Sequence, residues 1–342
     1  MKTRIEWIDI CKAVAIFAMV FCHVWLELPK GARAFEPGHL LDIFIHYWHM
    51  PIFFVLSGLV FNNAKYGGWK NFSALLKSRA RMILLPFIIF GIICGLYNWL
   101  FFFQEKEITV ITLLQGLFIP NKYLFLYSFQ WFLLSLFFTE IIFAVFNNIA
   151  AGRKWLVAAL SVAWLAGGRI LMNCTGWQLP LALDTTFYMV PVFAVGVLGK
   201  DFFMEKRPLQ SKWAQLVAFA LLVVLFFFPW GKVNIKSCIY DPFPVYFFSI
   251  AVTLLVVMLI REQEGWITKL KIYPAVRWMG CNSLALLLLN GSVRKSLPFK
   301  YLTLTNGAVS FCVQLLGTVV VIAIIYVLVF FLKKYTPLKK II

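Results

Sequence analysis

The chain has 342 residues, 62% of them apolar and 13% charged, with a mean hydropathy of +0.85 and a net charge of +18. A soluble domain is about half apolar and about one quarter charged, so this composition leaves no polar coat and excludes a soluble globular protein. The positive charge does not indicate a nucleic-acid partner, because Lys and Arg are dispersed among short connectors between apolar runs and form no single patch.

Apolar runs of about 17–25 residues, each matching the thickness of a hydrocarbon core, recur along the sequence. They predict an all-α polytopic bundle of about ten membrane spans, near 10–28, 41–62, 83–103, 125–147, 155–172, 182–199, 214–230, 243–260, 276–292 and 309–332. Lys and Arg in alternate connectors number about 20 on one side and about 9 on the other. That asymmetry, with an even number of spans, predicts that both termini are cytoplasmic. The whole of 1–342 reads as one transmembrane domain with no appended soluble domain and no cleavable signal peptide.

The first span carries Asp9, Lys12 and His23. An ionisable group inside a bilayer costs several kcal/mol, so each is a functional candidate. Lys12 and His23 are eleven residues apart, about three turns, which puts them on one face and roughly 16 Å apart along the axis. They cannot form a dyad; the stripe between them suits an extended ligand. Asp9, three residues before Lys12, is placed to pair with it. The competing reading is that Lys12 snorkels to the cytoplasmic surface and His23 is merely interfacial.

In the second span His46 and His49 stand one turn apart, and Pro51 predicts a kink beside His49. No carboxylate or cysteine is recognised at ligand spacing around this pair, so no metal is expected. The next connector ends in Lys77, Arg79 and Arg81, just before Pro86. Positive-inside anchoring and the binding of a phosphate-bearing ligand explain that basic run equally well. Glu140 and Asp184 are further carboxylates within spans, Trp131 opens the fourth span, and Arg169 and Arg277 are placed to snorkel. The seven cysteines lie mostly in apolar runs without CxxC pairing and read as small core residues.

Taken together, Arg4-Ile5-Glu6-Trp7-Ile8-Asp9 with Lys12 and His23 resembles the opening signature of the acyltransferase-3 membrane family. His49-Met50-Pro51-x-Phe53-Phe54 followed by Ser57-Gly58 is similar to the family's second-helix motif, and Arg79 and Arg81 before Pro86 to its cytoplasmic arginine loop. Trp131-Phe132-Leu133, Asp184-Thr185 with Gly196, and Gly280-Cys281-Asn282-Ser283-Leu284 resemble landmarks of the branch named for fucose O-acetylation. The sequence departs from the pattern in two places: Asn290 stands about where that branch often has a histidine, and the basic position of the first motif is Lys12, which lacks the bidentate fork of arginine.

The resemblance implies transfer of an acyl group, acetyl from acetyl-CoA above all, to a hydroxyl of a cell-envelope glycan or lipid-linked sugar in a bacterial cytoplasmic membrane. It implies His23 as base or transient acyl carrier, with Lys12, Asp9 and His49 in support, and the CoA head on Lys77, Arg79 and Arg81. The alternative is a proton-coupled transporter or flippase of lipid-linked sugars. A transporter is expected to show paired halves with broken helices at matching positions, and the crowding of the titratable groups into the first two spans argues against it. Outward connectors 29–41, 104–124, 231–242 and 293–308 would form the acceptor pocket, but carry no motif that names the acceptor or the oligomeric state.

Overall fold

The computed structural model describes residues 4–29, 36–102, 109, 111–112, 115–116, 131–176, 179–227, 231–302, 304, 306–336 and 338. Helix α1 (Glu6–Glu27) is followed by α2 (Glu36–Trp48) and α3 (Pro51–Leu59), which are two halves of the second span. Pro51 has no N–H to donate, so the chain breaks after Trp48 and Pro51 restarts it as a first-turn residue, as the sequence predicts. The third span is a helical run over Trp69–Phe102 that includes α4 (Phe72–Arg79), a π-helical turn (Ala80–Leu84) and α5 (Leu85–Phe102). The wide turn ends two residues before Pro86, which cannot supply the next helical donor.

Then come α6 (Trp131–Ile149), α7 (Lys154–Thr175), α8 (Leu183–Leu198) and α9 (Lys212–Phe227). A short antiparallel hairpin, β1 (Lys232–Asn234) with β2 (Ile239–Asp241), pairs Val233 with Tyr240. The chain continues through α10 (Val245–Glu262), α11 (Tyr273–Cys281), α12 (Ser283–Lys295) and α13 (Gly307–Tyr335). Among the described residues, eight helical segments are long and apolar enough to cross a membrane. α9 is apolar but shorter, at 16 residues. The ninth span, continuous in the sequence reading, is divided at Asn282, whose amide turns back on the Trp278 carbonyl at 2.8 Å. Residues 125–130 of the fourth span and the outward connector 104–108 and 117–124 lie outside the described residues.

α1 is apolar nearly all round, and a helix of that kind belongs inside a bundle. It is buried along most of its length and packs against α2, α3, α10, α11, α12 and α13. α13 turns Ser310, Gln314, Gly317 and Thr318 inward along its first half and Val321, Ile325 and Val329 along its second. Gln314 donates to the Phe21 carbonyl at 3.0 Å, fixing α13 on α1. Between membrane helices the driving force is close packing, which small residues permit. Gly58 of α3 and Gly196 of α8 face each other so closely that a Cβ on Gly196 would sit 2.2 Å from the Val55 carbonyl oxygen. At Gly280 of α11 a Cβ would meet the Asp9 carbonyl oxygen at 2.0 Å, so α11 lies directly on the start of α1. Lys333 near the end of α13 donates to Asn282 at 2.5 Å, and Cys281 Sγ lies 3.9 Å from Asp9 Oδ2. The first turns of α1 and the last turn of α13 therefore share one face of the bundle.

Candidate active site

A cavity of about 900 Å³ opens at the far end of α1 from Asp9, and all four histidines line it. His23 comes from the last turns of α1, and His39, Asp42 and His46 from α2. His49 sits where Pro51 breaks the second span, and Trp131 comes from α6. The hairpin contributes Lys232 and Lys236, and α12 contributes Arg294. Burial of Lys236 pushes its ammonium down to about 8.

A backbone hydrogen bond fixes the tautomer of neutral His49. His49 Nδ1 lies 2.8 Å from the Ile45 carbonyl oxygen. A carbonyl only accepts, so Nδ1 holds the proton and Nε2 of neutral His49 keeps the lone pair. His23 differs: its Nδ1 accepts from the Asn290 amide at 3.2 Å, and Met19 Sδ lies 2.8 Å from the same nitrogen. With Nδ1 as acceptor, the proton of neutral His23 is on Nε2. Asn290 is fully buried and its Oδ1 has no hydrogen-bond partner among the described residues. A half-turn of the amide would put Oδ1 on an Nδ1–H and make Nε2 the base. The tautomer of His23 is thus tied to the orientation of the Asn290 amide.

Arg294 clamps this end of α1. Its guanidinium donates to the His23 carbonyl at 2.7 Å and pairs with Glu27 at 2.8 Å. A charge so buried persists only when paired and hydrogen-bonded. Below it, α12 runs past α1 and brings Asn290 to His23.

The sequence-predicted residues fall into three places. His23 and His49 share the cavity, with His46 beside His49 in an edge-to-face ring contact at 5.1 Å between centroids. Lys12 and Asp9 are at the opposite end of α1, where Asp9 pairs with Arg4 at 2.5 Å and with Lys12 at 3.8 Å. Between the two ends, Ala15, Ile16 and Met19 are buried and closely packed, and the cavity lining stops at Met19. In the basic run, Lys77 and Arg81 are exposed, but Arg79 turns into the bundle and pairs with Glu140 at 2.5 Å. The sequence reading missed Arg294, although it lies just beyond a span and was there to be counted. It also found no carboxylate or cysteine beside His46. The fold corrects this: Asp42 stands one turn before His46, and Cys22 of α1 completes a group whose ligand atoms all lie within 4.8 Å of one another.

The described residues define a multi-pass membrane protein with a histidine-lined cavity at the far end of its first helix. Comparison with known proteins makes the class specific. The family model described as an acyltransferase domain matches residues 5–330, and the chain belongs to that acyltransferase-3 family. The protein is therefore a membrane acyltransferase. No curated protein and no solved structure matches it.

Proposed function

We propose that the protein is an O-acyltransferase that moves an acyl group, acetyl in the first instance, from acyl-CoA to a hydroxyl of a cell-envelope glycan or lipid-linked sugar. The observation that carries this reading is the meeting of His23 and His49 in one cavity large enough for a sugar acceptor. In the reaction, the acceptor oxygen attacks the thioester carbonyl carbon, a histidine takes the hydroxyl proton, and the C–S bond breaks. The proton passes to the departing thiolate, leaving an O-acyl ester and free CoA. His23 serves as the base through Nε2, with the Asn290 amide turned so that its Oδ1 accepts from Nδ1–H, and His49 shares the proton through Nε2. Transient acylation of His23 is the same chemistry split into two steps.

The donor reading rests on the opposite face. Lys77 and Arg81 are exposed there, in the helical stretch that leads into α5, and offer phosphates a cationic surface. Arg79, tied to Glu140, anchors that stretch to α6. Lys12, balanced by Asp9, stands at the entrance to the stripe that leads to His23. Because Ala15, Ile16 and Met19 are packed, a thioester arm must part these side chains to reach His23. The Lys and Arg asymmetry supports both termini on the cytoplasmic side, and the resemblance implies a bacterial cytoplasmic membrane. Landmarks from Trp131 to Leu284 support the fucose O-acetylase-like branch.

Mass spectrometry of envelope glycans from cells with and without the gene tests the proposal. Loss of an alkali-labile acyl ester from one glycan is the expected result. Unchanged esters, with a lipid-linked sugar no longer moved between leaflets, would contradict it and favour a transporter.

A further inference from the structure

Cys22, Asp42 and His46 take no part in the acyl transfer described above, yet they are assembled. Asp42 and His46 stand one turn apart on α2, and Cys22 approaches them from α1, next to His23. One ligand atom from each, a thiol sulfur, a carboxylate oxygen and a ring nitrogen, lie within 4.8 Å of one another. His46 Nδ1 lies 3.6 Å from Asp42 Oδ2 and 2.6 Å from the Asp42 carbonyl oxygen. The Cys22 thiol hydrogen-bonds to the Asp42 carboxylate, whose Oδ1 is buried and takes no hydrogen bond from a nitrogen or hydroxyl among the described residues. Both Asp42 and His46 line the histidine cavity, so the group has an open side towards solvent and ligand.

A thiolate, an imidazole and a carboxylate from two packed helices form a donor set that suits a borderline-soft divalent ion, and disfavours magnesium or calcium, which take all-oxygen shells. We propose that Cys22, Asp42 and His46 form a binding site for a divalent metal ion of the zinc class in the wall of the histidine cavity. Binding displaces the Cys22 thiol proton to solvent. If the ion binds Nδ1, the His46 ring proton moves to Nε2, and a metal bond replaces the hydrogen bond to the Asp42 carbonyl. Three protein ligands leave a fourth position for water or a ligand group from the cavity. The inference does not depend on the transfer reaction, because the site is defined by its ligands alone.

Titration of the full-length, detergent-purified, tag-free protein with Co2+ tests it, read by the thiolate-to-cobalt charge-transfer absorption and by competition with Zn2+. The expected result is one ion per chain, with the charge-transfer band abolished in C22S and affinity reduced at least ~10-fold in D42N and H46A. C312S, at an exposed cysteine on α13, should bind as the parent does. Absence of the band, or an unchanged band in C22S, would overturn the site. Should C22S fail to fold, as judged by gel filtration and melting without metal, D42N decides: undiminished Co2+ affinity there overturns the proposal equally.

Discussion

Replacing Glu140 with leucine should destabilise the protein strongly, and replacing Arg79 with methionine in the same chain should restore most of the loss. The two side chains are 4% and 13% exposed and meet at 2.5 Å, so neither charge is solvated independently. Removing the carboxylate leaves a buried guanidinium without its counter-charge, which costs about 3–5 kcal/mol. Removing both exchanges an ion pair for apolar packing and is close to neutral. A double-mutant cycle on reconstituted protein, with unfolding by denaturing detergent, reads the coupling. Additive losses in the double variant would refute the strut assigned to Arg79. So would an R79M variant that keeps its stability but raises the KM for acyl-CoA, since that pattern belongs to a phosphate-binding arginine.

Three further outcomes follow from the packing and the cavity. Asn290→Ala should lower kcat by on the order of 10–100-fold and shift its pH profile, with the KM for acyl-CoA unchanged, because the amide acts only through His23; an unaltered pH profile would remove that positioning role. Burial holds Lys236 down from the usual 10.5 to about 8. Between those values the unfolded chain binds more protons than the folded one, so the lysine's contribution to stability improves as pH rises through this window. The rise should be smaller in K236M, and equal slopes in the two proteins would contradict the burial argument. Gly196→Val should lower the melting temperature sharply, as its Cβ meets the Val55 carbonyl oxygen at 2.2 Å, whereas Gly265→Ala, with nothing within 4 Å, should leave it unchanged; thermal unfolding in detergent checks both.

The sequence speaks most clearly where membrane physics makes a residue expensive. Apolar run lengths show the helical bundle, Pro51 shows the break beside His49, and the ionisable groups of α1 identify the helix at the centre of the bundle. The division at Asn282 was less visible, because one polar residue in an apolar run does not distinguish a broken helix from a continuous one. Arg79 shows the limit of local reading: in a basic connector every arginine looks alike, and its partner Glu140 is on a helix far along the chain. The same holds for Asn290 against His23, Arg294 against Glu27, and Cys22 against Asp42. Each is made by the packing of α1 with α2 or α12, which no spacing within a single helix encodes.

In the proposed reaction His23, in the cavity it shares with His49, handles the proton of the acceptor hydroxyl. The most direct test is acyl transfer from labelled acetyl-CoA to envelope glycan in proteoliposomes containing either the parent protein or His23→Ala, matched for amount and melting temperature. Ester formation should fall by about 10²-fold or more in His23→Ala, on the order expected for loss of a general base. Transfer at the parent rate by a correctly folded His23→Ala protein would contradict it.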